Sequence, residues 1–573
     1  MDRRGVWAPR ATHVEVEIGG TRVPLVAVTG GWFELRGSGV EPGDDYAFVL
    51  DGGSPRPDPR SAWQPHGVHG ASRAVDHGSF AWTDGAWNGR RLRDSVVYEM
   101  HVGTFSDSGT LDGAIEHLAH LVELGVGALE LMPVAAFPGR RGWGYDGVGL
   151  YAVHEAYGGP DALKRFVDAC HAAGLAVVMD VVYNHLGPDG NYLAEFGPYF
   201  TDRHRTPWGD AINYDGADSD EVRRFAVDNA LMWLRDYHCD GLRIDAVHAI
   251  VDTSAIHLVE EIATAVHALS ASAGRPLWVI AESDLNDPRV VDDLERSGYG
   301  CDAQWSDDFH HALHAALTGE TRGYYSDFGR VEDIALALRN VFVNPGGYSR
   351  FRRRRHGRAA DRLPATRFLG YLQNHDQVGN RAQGERSAAL MATGRLQIAA
   401  ALVLLGPFVP MLFAGEEWAA STPFQYFTDH HNPELARRVS DGRRSEFTSF
   451  GWDPAMVPDP QDQAAFERSS LRWSERDREP HATLLRWHAE LIALRSSLEP
   501  LRDGNGAAVS VEYDEAARWL VMRRPPVTVA CNWGDAGVAL PLAAPNVVLS
   551  NADVVPSAGG VVVPPDGVVV VRA

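Results

Sequence analysis

The chain of 573 residues is too long for a single hydrophobic core, so about two to four domains are expected. Hydrophobic residues make up 45% of it and charged residues 23%, which is the balance of a globular protein. The formal net charge of -23 disfavours nucleic acid and anionic membranes as partners, because binding phosphate groups requires a basic face. A neutral ligand such as a sugar is not disfavoured by this charge.

The N-terminal residues MDRRGVWAPR carry basic side chains but no apolar run follows them, which argues against a signal peptide. No stretch of about 18 apolar residues is present, so we expect no membrane span. The cysteines are far apart and form no CxxC pair, so we expect neither zinc nor disulfides. Buried free thiols in a reducing cytoplasm are the simplest interpretation of Cys170, Cys239, Cys301 and Cys531.

Residues 1–90 contain short β-rich runs separated by glycines, such as HVEVEIGG and GWFELRG, which predict an N-terminal β-sandwich. From about Ser95 apolar strands alternate with amphipathic helices, and residues 160–174 and 219–238 have clear helical periodicity. This alternation predicts an α/β catalytic domain over residues 91–498, a (β/α)8 TIM barrel. Its eight predicted strands are VVYEMHV, GALELMP, LAVVMDVV, LRIDAV, LWVIAES, DAQWSD, FLGYLQN and VPMLFAG.

Residues 317–365 interrupt the alternation and contain the basic run RFRRRRHGR. We interpret this segment as an insertion whose arginines face solvent, with an anion site as the alternative. After a helix in HATLLRWHAELIAL the sequence becomes β-rich again. Residues 499–573 therefore predict a small all-β C-terminal domain, a second β-sandwich.

The strand GLRIDAVH holds two charges, Arg243 and Asp245, on one side, while Leu242 and Ile244 point to the other side. In a barrel, ligands bind at the carboxyl ends of the strands, so the charged pair should face the mouth. Other strand ends carry polar clusters too. A single carboxylate there could cap a helix, but five such strand ends are hard to explain by capping. The clusters comprise Asp180, Asn184 and His185; Glu282 and Asp284; Trp305, Asp307, Asp308, His310 and His311; Asn374, His375, Asp376 and Gln377; and Glu416 and Glu417.

Such a mouth could hold Ca²⁺ or Mg²⁺, but no EF-hand run and no HExxH are present, so we rank metal chemistry below acid–base chemistry. No GxSxG elbow supports a serine hydrolase and no P-loop supports a nucleotide, so we expect no cofactor. Paired carboxylates beside aromatic rings are suited to cleaving a glycosidic bond.

In order along the chain, the motifs DVVYNH, GLRIDAVH, AESD and NHD resemble those of the α-amylase superfamily of glycoside hydrolases and transglycosylases. The resemblance implies that Asp245 is the nucleophile, Glu282 the general acid/base and Asp376 the stabiliser of the transition state. It implies a retaining mechanism, in which the two reacting carboxyl groups lie roughly 5–5.5 Å apart. In the same family the remaining motif residues hold the nucleophile ionised or shape the pocket around the sugar, namely Arg243, Tyr145, His185 and His375.

Further segments, among them CDAQWSDDFHHALH and NHDQVGNRAQGER, are similar over nearly the whole chain to one subgroup of that family. That subgroup cleaves the α-1,4 bond next to the terminal trehalose of maltooligosyl trehalose. Amylases commonly have Lys-His where this chain has His248 and Ala249, so the leaving-side subsites should be built differently. Further predicted substrate-binding residues are Trp208, His248, Asp284, Trp305, Asp307, Asp308, His310, His311, Gln377 and Asn380, although each tryptophan could simply be packing and each histidine a structural hydrogen bond.

Two other functions remain open from the sequence. One is a glycogen branching or debranching enzyme, which would share the barrel and the three carboxylates. The other is a glucan-binding protein without catalysis, which the complete carboxylate set disfavours. The resemblance further implies a carbohydrate-binding-module-like N-terminal domain and a functional partner, the maltooligosyltrehalose synthase that makes the substrate.

Overall fold

A computed structural model describes residues 5–37, 39–206, 209–446, 452–504, 509–540, 542, 546–557 and 560–572. Its centre is a closed barrel of eight parallel strands. The last barrel strand pairs with the first, which closes the ring. This confirms the predicted TIM barrel, and each of the eight predicted segments supplies one strand. In chain order the barrel strands are β8 (Val97–Met100), β9 (Ala128–Leu131), β12 (Ala176–Val181), β15 (Gly241–Ile244), β16 (Trp278–Ala281), β17 (Ala303–Trp305), β20 (Phe368–Gly370) and β21 (Val409–Phe413).

Helices surround the barrel and bury their apolar faces against it. In Gly159–Ala172, for example, Leu163, Phe166 and Val167 are fully buried and lie on one face, as the 3.6-residue period requires. The helices are α1 (Val102–Phe105), α2 (Leu111–Ile115), α3 (Leu118–Leu124), α4 (Gly159–Ala172), α5 (Leu193–Phe196), α6 (Asp220–Arg235), α7 (Leu258–Ala273), α8 (Asp307–Thr318), α9 (Val331–Asn340), α10 (His375–Gly379), α11 (Ser387–Leu390), α12 (Thr393–Leu405), α13 (Pro433–Glu446), α14 (Gln463–Ser469) and α15 (His481–Ser497).

Two small antiparallel sheets precede the barrel, in the orders β1-β5-β4 and β3-β2-β6-β7. Their cores are joined to the barrel, since Trp7 packs edge to face against Tyr199 with the ring centroids 5.4 Å apart. Their strands are β1 (Gly5–Trp7), β2 (Val14–Ile18), β3 (Thr21–Pro24), β4 (Val26–Ala27), β5 (Trp32–Glu34), β6 (Asp45–Leu50) and β7 (Ser72–Arg73).

Two antiparallel sheets also follow the barrel, in the orders β22-β23-β24-β29-β26 and β25-β28-β27, which confirms the all-β C-terminal region. Arg524 anchors them to the barrel, because its Nη1 donates to the carbonyl oxygen of Gly406 at 2.6 Å. The strands are β22 (Ser510–Asp514), β23 (Trp519–Arg524), β24 (Val527–Asn532), β25 (Val538–Leu540), β26 (Asn546–Ser550), β27 (Val555–Ser557), β28 (Gly560–Val563) and β29 (Gly567–Arg572).

Three hairpins lie in the segments that follow the barrel strands β9, β12 and β17. They pair β10 (Ala135–Ala136) with β11 (Gly149–Val153), β13 (Phe200–Thr206) with β14 (Gly209–Ile212), and β18 (Tyr348–Ser349) with β19 (Arg354–Arg355). The third hairpin and α9 lie within the predicted insertion, between α8 and β20. Among the described residues, no helix is both long enough and apolar enough to cross a membrane.

The alternation of side chains along β15 explains the two charges in an apolar strand. Leu242 and Ile244 are fully buried in the core between strands and helices, while Arg243 points into the barrel. Arg243 pairs in register with Asp180 of β12, so their side chains meet inside the ring. The barrel thus brings one cation next to the carboxylates of neighbouring strand ends.

Candidate active site

A cavity of about 870 Å³ opens where the barrel strands end. It contains all three predicted catalytic carboxylates, Asp245, Glu282 and Asp376, and most of the predicted substrate-binding residues. The predicted substrate-binding residues along its wall are Tyr145, His185, Arg243, His248, Asp284, Asp307, His311, His375, Gln377 and Asn380. Sequence reasoning missed several further wall residues, namely Trp143, Asp146, Tyr324, Phe351, Arg352, Tyr426 and Arg443.

Arg243 is the centre of this site. Its side chain is 1% exposed, and its Nη1 donates to Asp180 Oδ2 at 2.7 Å and to Asp245 Oδ1 at 2.9 Å. Its Nη2 lies 2.8 Å from Glu282 Oε2. The guanidinium carbon also lies 4.2 Å from the centroid of the Trp305 ring, a cation–π contact. One buried cation therefore holds three carboxyl groups in fixed positions.

Asp245 is held by both of its carboxylate oxygens. Asn184 Nδ2 donates to Oδ2 at 2.7 Å, while Arg243 donates to Oδ1. Burial opposes ionisation of Asp245, but the charges of Arg243 and His185 and the Asn184 hydrogen bond outweigh it and lower its pKa. Asp245 is consequently an ionised carboxylate inside the protein, as a nucleophile must be.

Glu282 has the opposite environment. Burial raises its pKa well above the ordinary value, and the nearby charges of Asp245, Asp376 and Asp307 raise it further against the opposing effect of Arg243. The backbone N–H of Ala246 donates to Glu282 Oε2 at 2.7 Å and orients the side chain. Two carboxyl groups beside one arginine thus have pKa values shifted in opposite directions, which is the arrangement of a base or nucleophile paired with an acid.

Asp376 lies at the start of α10, next to Asn380 one turn later. Asn380 Nδ2 donates to Asp376 Oδ1 at 2.6 Å, and Arg443 Nη1 donates to Asn380 Oδ1 at 2.7 Å. Asp307 is also on the cavity wall, where Tyr371 donates to its Oδ1 at 2.6 Å. Burial and neighbouring carboxylates raise the pKa of Asp307 to about 7, despite the Tyr371 hydrogen bond.

Glu99, on the first barrel strand, fixes His375. It accepts a hydrogen bond from the backbone N–H of His375 at 2.9 Å and contacts the ring Nδ1 at 2.5 Å. The imidazole ring of His375 also stacks on the ring of Tyr145, with the two ring centroids 5.1 Å apart. Tyr145 in turn donates to Asp180 Oδ2 at 2.6 Å, and its carbonyl oxygen lies 3.0 Å from His185 Nε2. These contacts join three strand ends into one rigid wall.

Another part of the wall comes from the insertion and corrects our interpretation of its basic run. Arg352, which the sequence predicts to face solvent, lies on the cavity wall, where its Nη2 donates to Asp284 Oδ2 at 2.7 Å. His248 Nε2 lies 3.8 Å from the other oxygen of the same carboxylate. Tyr324 and Phe351 of the insertion lie on this wall too. Arg354 and Arg355 of the same run are exposed, as predicted.

Three predicted binding residues are turned away from the cavity. Asp308 is buried and accepts hydrogen bonds from the backbone N–H groups of Val343 and Asn344, at 2.7 and 3.1 Å, so it anchors the insertion. His310 is 1% exposed, with its ring nitrogens engaged by Leu372 and Tyr325. Trp305, also 1% exposed, supports Arg243 from below and offers no face to a sugar. Trp208 lies outside the described residues.

The last strand-end cluster is structural as well. Glu417 is fully buried and accepts a hydrogen bond from the Tyr98 hydroxyl at 3.0 Å, with His120 Nε2 at 2.9 Å from the same oxygen. Burial raises the pKa of Glu416 to about 8. Within the described ranges, no group of three or more His, Cys, Asp or Glu side chains is arranged to hold a metal ion.

The barrel and the paired carboxylates at its mouth define an α-amylase-type glycoside hydrolase, and the family model for the alpha amylase catalytic domain matches residues 78–206. A model described as a domain of unknown function matches residues 504–570. Over 94% of both chains, this protein is 54% identical to the malto-oligosyltrehalose trehalohydrolase of Arthrobacter ramosus. It is 46% identical to that of Saccharolobus solfataricus over 86% of both chains. The chain belongs to the malto-oligosyltrehalose trehalohydrolase family.

Solved structures agree with this fold. A Salmonella typhimurium protein provisionally described as an alpha amylase is 39% identical and superimposes with a TM-score of 0.91 over 99% of this chain and 97% of its own. A pullulanase from Anoxybacillus is 18% identical with a TM-score of 0.72, which shows a shared fold alone.

Proposed function

We propose that this protein hydrolyses the α-1,4-glucosidic bond next to the terminal trehalose of maltooligosyl trehalose, releasing trehalose and a maltooligosaccharide. The observation that carries the proposal is the carboxylate pair Asp245 and Glu282, held by Arg243 at the mouth of an α-amylase-type barrel. The names of the relatives supply the substrate, because they are malto-oligosyltrehalose trehalohydrolases over nearly the full length of the chain.

In the first half of the proposed reaction, Asp245 attacks the anomeric carbon and Glu282 gives its proton to the bridging oxygen. The bond from that carbon to the bridging oxygen breaks, and trehalose leaves with the proton. In the second half, Glu282 takes a proton from water, whose oxygen attacks the same carbon and displaces Asp245. The anomeric configuration is therefore retained.

The other wall residues have supporting roles in this proposal. Asp376 stabilises the positive charge that develops on the sugar ring, and Tyr145, His185 and His375 surround the sugar that becomes covalently attached. On the leaving side, Arg352 with Asp284 and His248 provides charged donors and acceptors for trehalose hydroxyls, and Tyr324 and Phe351 provide ring surfaces. Polar groups with rings alongside suit a sugar, which has both hydroxyls and an apolar face.

Product analysis tests the proposal. Given maltotriosyl trehalose, the protein should release trehalose and maltotriose, whereas maltopentaose should remain nearly intact over the same time. Chromatography of both digests gives the two rates. If maltopentaose is cut or rearranged as fast, the protein is an amylase or a branching-type enzyme and the proposed leaving-side subsites are wrong.

The opposite pKa shifts predict a bell-shaped pH dependence of kcat/KM. Asp245 must be ionised, so activity rises as pH increases through its lowered pKa; Glu282 must be protonated, so activity falls as pH passes its raised pKa. Glu282→Gln should lower kcat by about 10²–10⁴-fold and abolish the alkaline fall. The exposed Glu295→Gln serves as the control and should keep the full profile. An unchanged alkaline limb in Glu282→Gln would assign the acid to another group.

We further propose three domains, residues 1–90, 91–498 and 499–573. Two features support these limits. No strand lies in the described segment between the end of β7 at Arg73 and the start of β8 at Val97, and the C-terminal sheets begin with β22 at Ser510. The cysteines are all free and buried, which supports a cytoplasmic location, in keeping with a reducing compartment. There the substrate would come from a maltooligosyltrehalose synthase, the functional partner that this reaction requires.

A further inference from the structure

A second cavity, of about 440 Å³, lies at the opposite end of the barrel from the active site. Its wall includes Val96, Val126 and Leu175, each of which immediately precedes or lies near the start of a barrel strand. It therefore opens at the amino-terminal ends of the strands, where no step of the proposed reaction takes place. We call it the arginine cavity, after the four arginines in its wall, Arg90, Arg91, Arg495 and Arg502.

The charge of this cavity is opposite to that of the whole chain. Four of its thirteen wall residues are arginines and one, Asp94, is acidic, although the chain has a net charge of -23. Asp94 lies 3.1 Å from Arg502 and offsets one positive charge. Arg90 and Arg91 are exposed, and neither has an ion-pair partner in the described part of the chain. A positive charge of about three remains for a ligand.

Two of the arginines are held in place by the fold. Arg495 is 2% exposed and donates to the carbonyl oxygens of Leu404, Gly406 and Phe408, at 2.8 to 3.0 Å. Arg502 is pinned by Asp94, but its buried Nε has no hydrogen-bond partner among the described residues. A buried donor without an acceptor is costly, and an anionic oxygen in the cavity would satisfy it.

A further buried arginine, Arg524, lies close to Arg495. Arg524 is 2% exposed and donates to the carbonyl oxygen of Gly406, as Arg495 does. Its buried Nη2 has no hydrogen-bond partner in the described chain, although Asp503 lies 4.0 Å away. Burial lowers the pKa of Arg495, and the charges of Arg524 and Arg502 lower it further. Asp503 lies 4.0 Å from Arg524 and Asp94 lies 3.1 Å from Arg502, so two carboxylates face five arginines in this part of the fold.

We propose that the arginine cavity binds a small organic phosphate. Guanidinium groups match the geometry of phosphate oxygens in paired hydrogen bonds, which makes arginine the preferred phosphate ligand. The wall also includes Val96, Val122, Val126 and Leu175, of which Val122 is exposed and can contact an apolar part of the ligand. The neutral sugars of the proposed reaction need no such charge, so this site is independent of that reaction.

Titration calorimetry on the full chain tests the site with three probes, namely inorganic phosphate, glucose 6-phosphate and AMP. We expect one of the two organic phosphates to bind at least tenfold more tightly than inorganic phosphate. Tighter binding of glucose 6-phosphate would identify the ligand as a sugar phosphate, and tighter binding of AMP would identify it as a nucleotide. Arg90→Gln combined with Arg91→Gln should weaken that binding at least tenfold. Both side chains are exposed, so the double variant should fold and hydrolyse its sugar substrate normally.

Arg93→Gln is the matched control, because Arg93 is exposed on the same turn but is not part of the cavity wall. It should bind the organic phosphate as the unaltered protein does. The proposal is overturned if no probe binds, if inorganic phosphate binds as tightly as the organic phosphates, or if Arg93→Gln weakens binding as much as the double variant does.

Discussion

Asp245→Asn is expected to lower kcat by roughly 10⁴- to 10⁶-fold while the protein still folds and binds its substrate. The amide has nearly the shape of the carboxylate, but it carries no negative charge and cannot form the covalent bond to the sugar. The measurement is the rate of trehalose release from maltotriosyl trehalose, with substrate affinity determined separately by calorimetry.

The exposed Asp107→Asn provides the control for this change of one charge and should keep the full rate. If Asp245→Asn retained more than about a hundredth of the normal kcat, a nucleophilic role for Asp245 would be untenable. If Asp245→Asn shows no cooperative unfolding transition, it has not folded, and its loss of activity and binding is uninformative. The comparison should then be made with Asp245→Glu, which keeps the charge but misplaces it.

Arg243→Met is expected to destabilise the protein by about 3–5 kcal/mol and to abolish activity. The methionine fills part of the space above Trp305, but Asp180, Asp245 and Glu282 lose their shared cation inside the barrel. A buried charge without a partner is far more costly than an intact ion pair is favourable. The measurement is the shift of the urea unfolding transition at neutral pH.

Acidic solution should reveal the origin of that loss. Glu282 is already protonated at neutral pH, and once acid protonates Asp180 and Asp245 too, none of the three side chains needs a cation. The difference between Arg243→Met and the unaltered protein should therefore shrink. Arg93→Met, at an exposed position, should change stability by less than about 0.5 kcal/mol. A loss of similar size at acidic and neutral pH would mean that packing, not charge, accounts for the effect.

Much of the fold could be predicted because the barrel strands are apolar runs with a regular spacing. All eight are present, and the alternation of side chains on β15 correctly placed Arg243 inside the ring. The hairpins and α9 in the insertion were not predicted, because short strands at a barrel mouth have no clear apolar period.

The predicted binding residues on α8 show why part of the site could not be placed. The sequence predicts a polar cluster at a strand end here, whereas Asp307–Thr318 is a helix. Residues four apart share a face of a helix, so Asp307 and His311 both line the cavity, whereas Asp308 and His310 point into the protein. The periodicity was visible in the sequence, but the start of the helix was not.

Glu99 and Arg352 were missed for different reasons. Glu99 is a charge within the apolar strand VVYEMHV, the same signal that identified Arg243, and could have been found by applying that signal to every strand. Arg352 lies in a run of arginines, and sequence does not show which one of them reaches Asp284. Its role depends on a hairpin whose position is set by contacts far away along the chain, such as those of Asp308.

The closure of the barrel also limits when the protein can become active during synthesis. The ring is completed when β21 pairs with β8, so a nascent chain shorter than Phe413 has two open strand edges. Glu99 would then be made early but would have to wait for His375, near the end of the barrel. Until both edges meet, the incomplete sheet presents unpaired apolar strands, which makes the unfinished chain prone to aggregation.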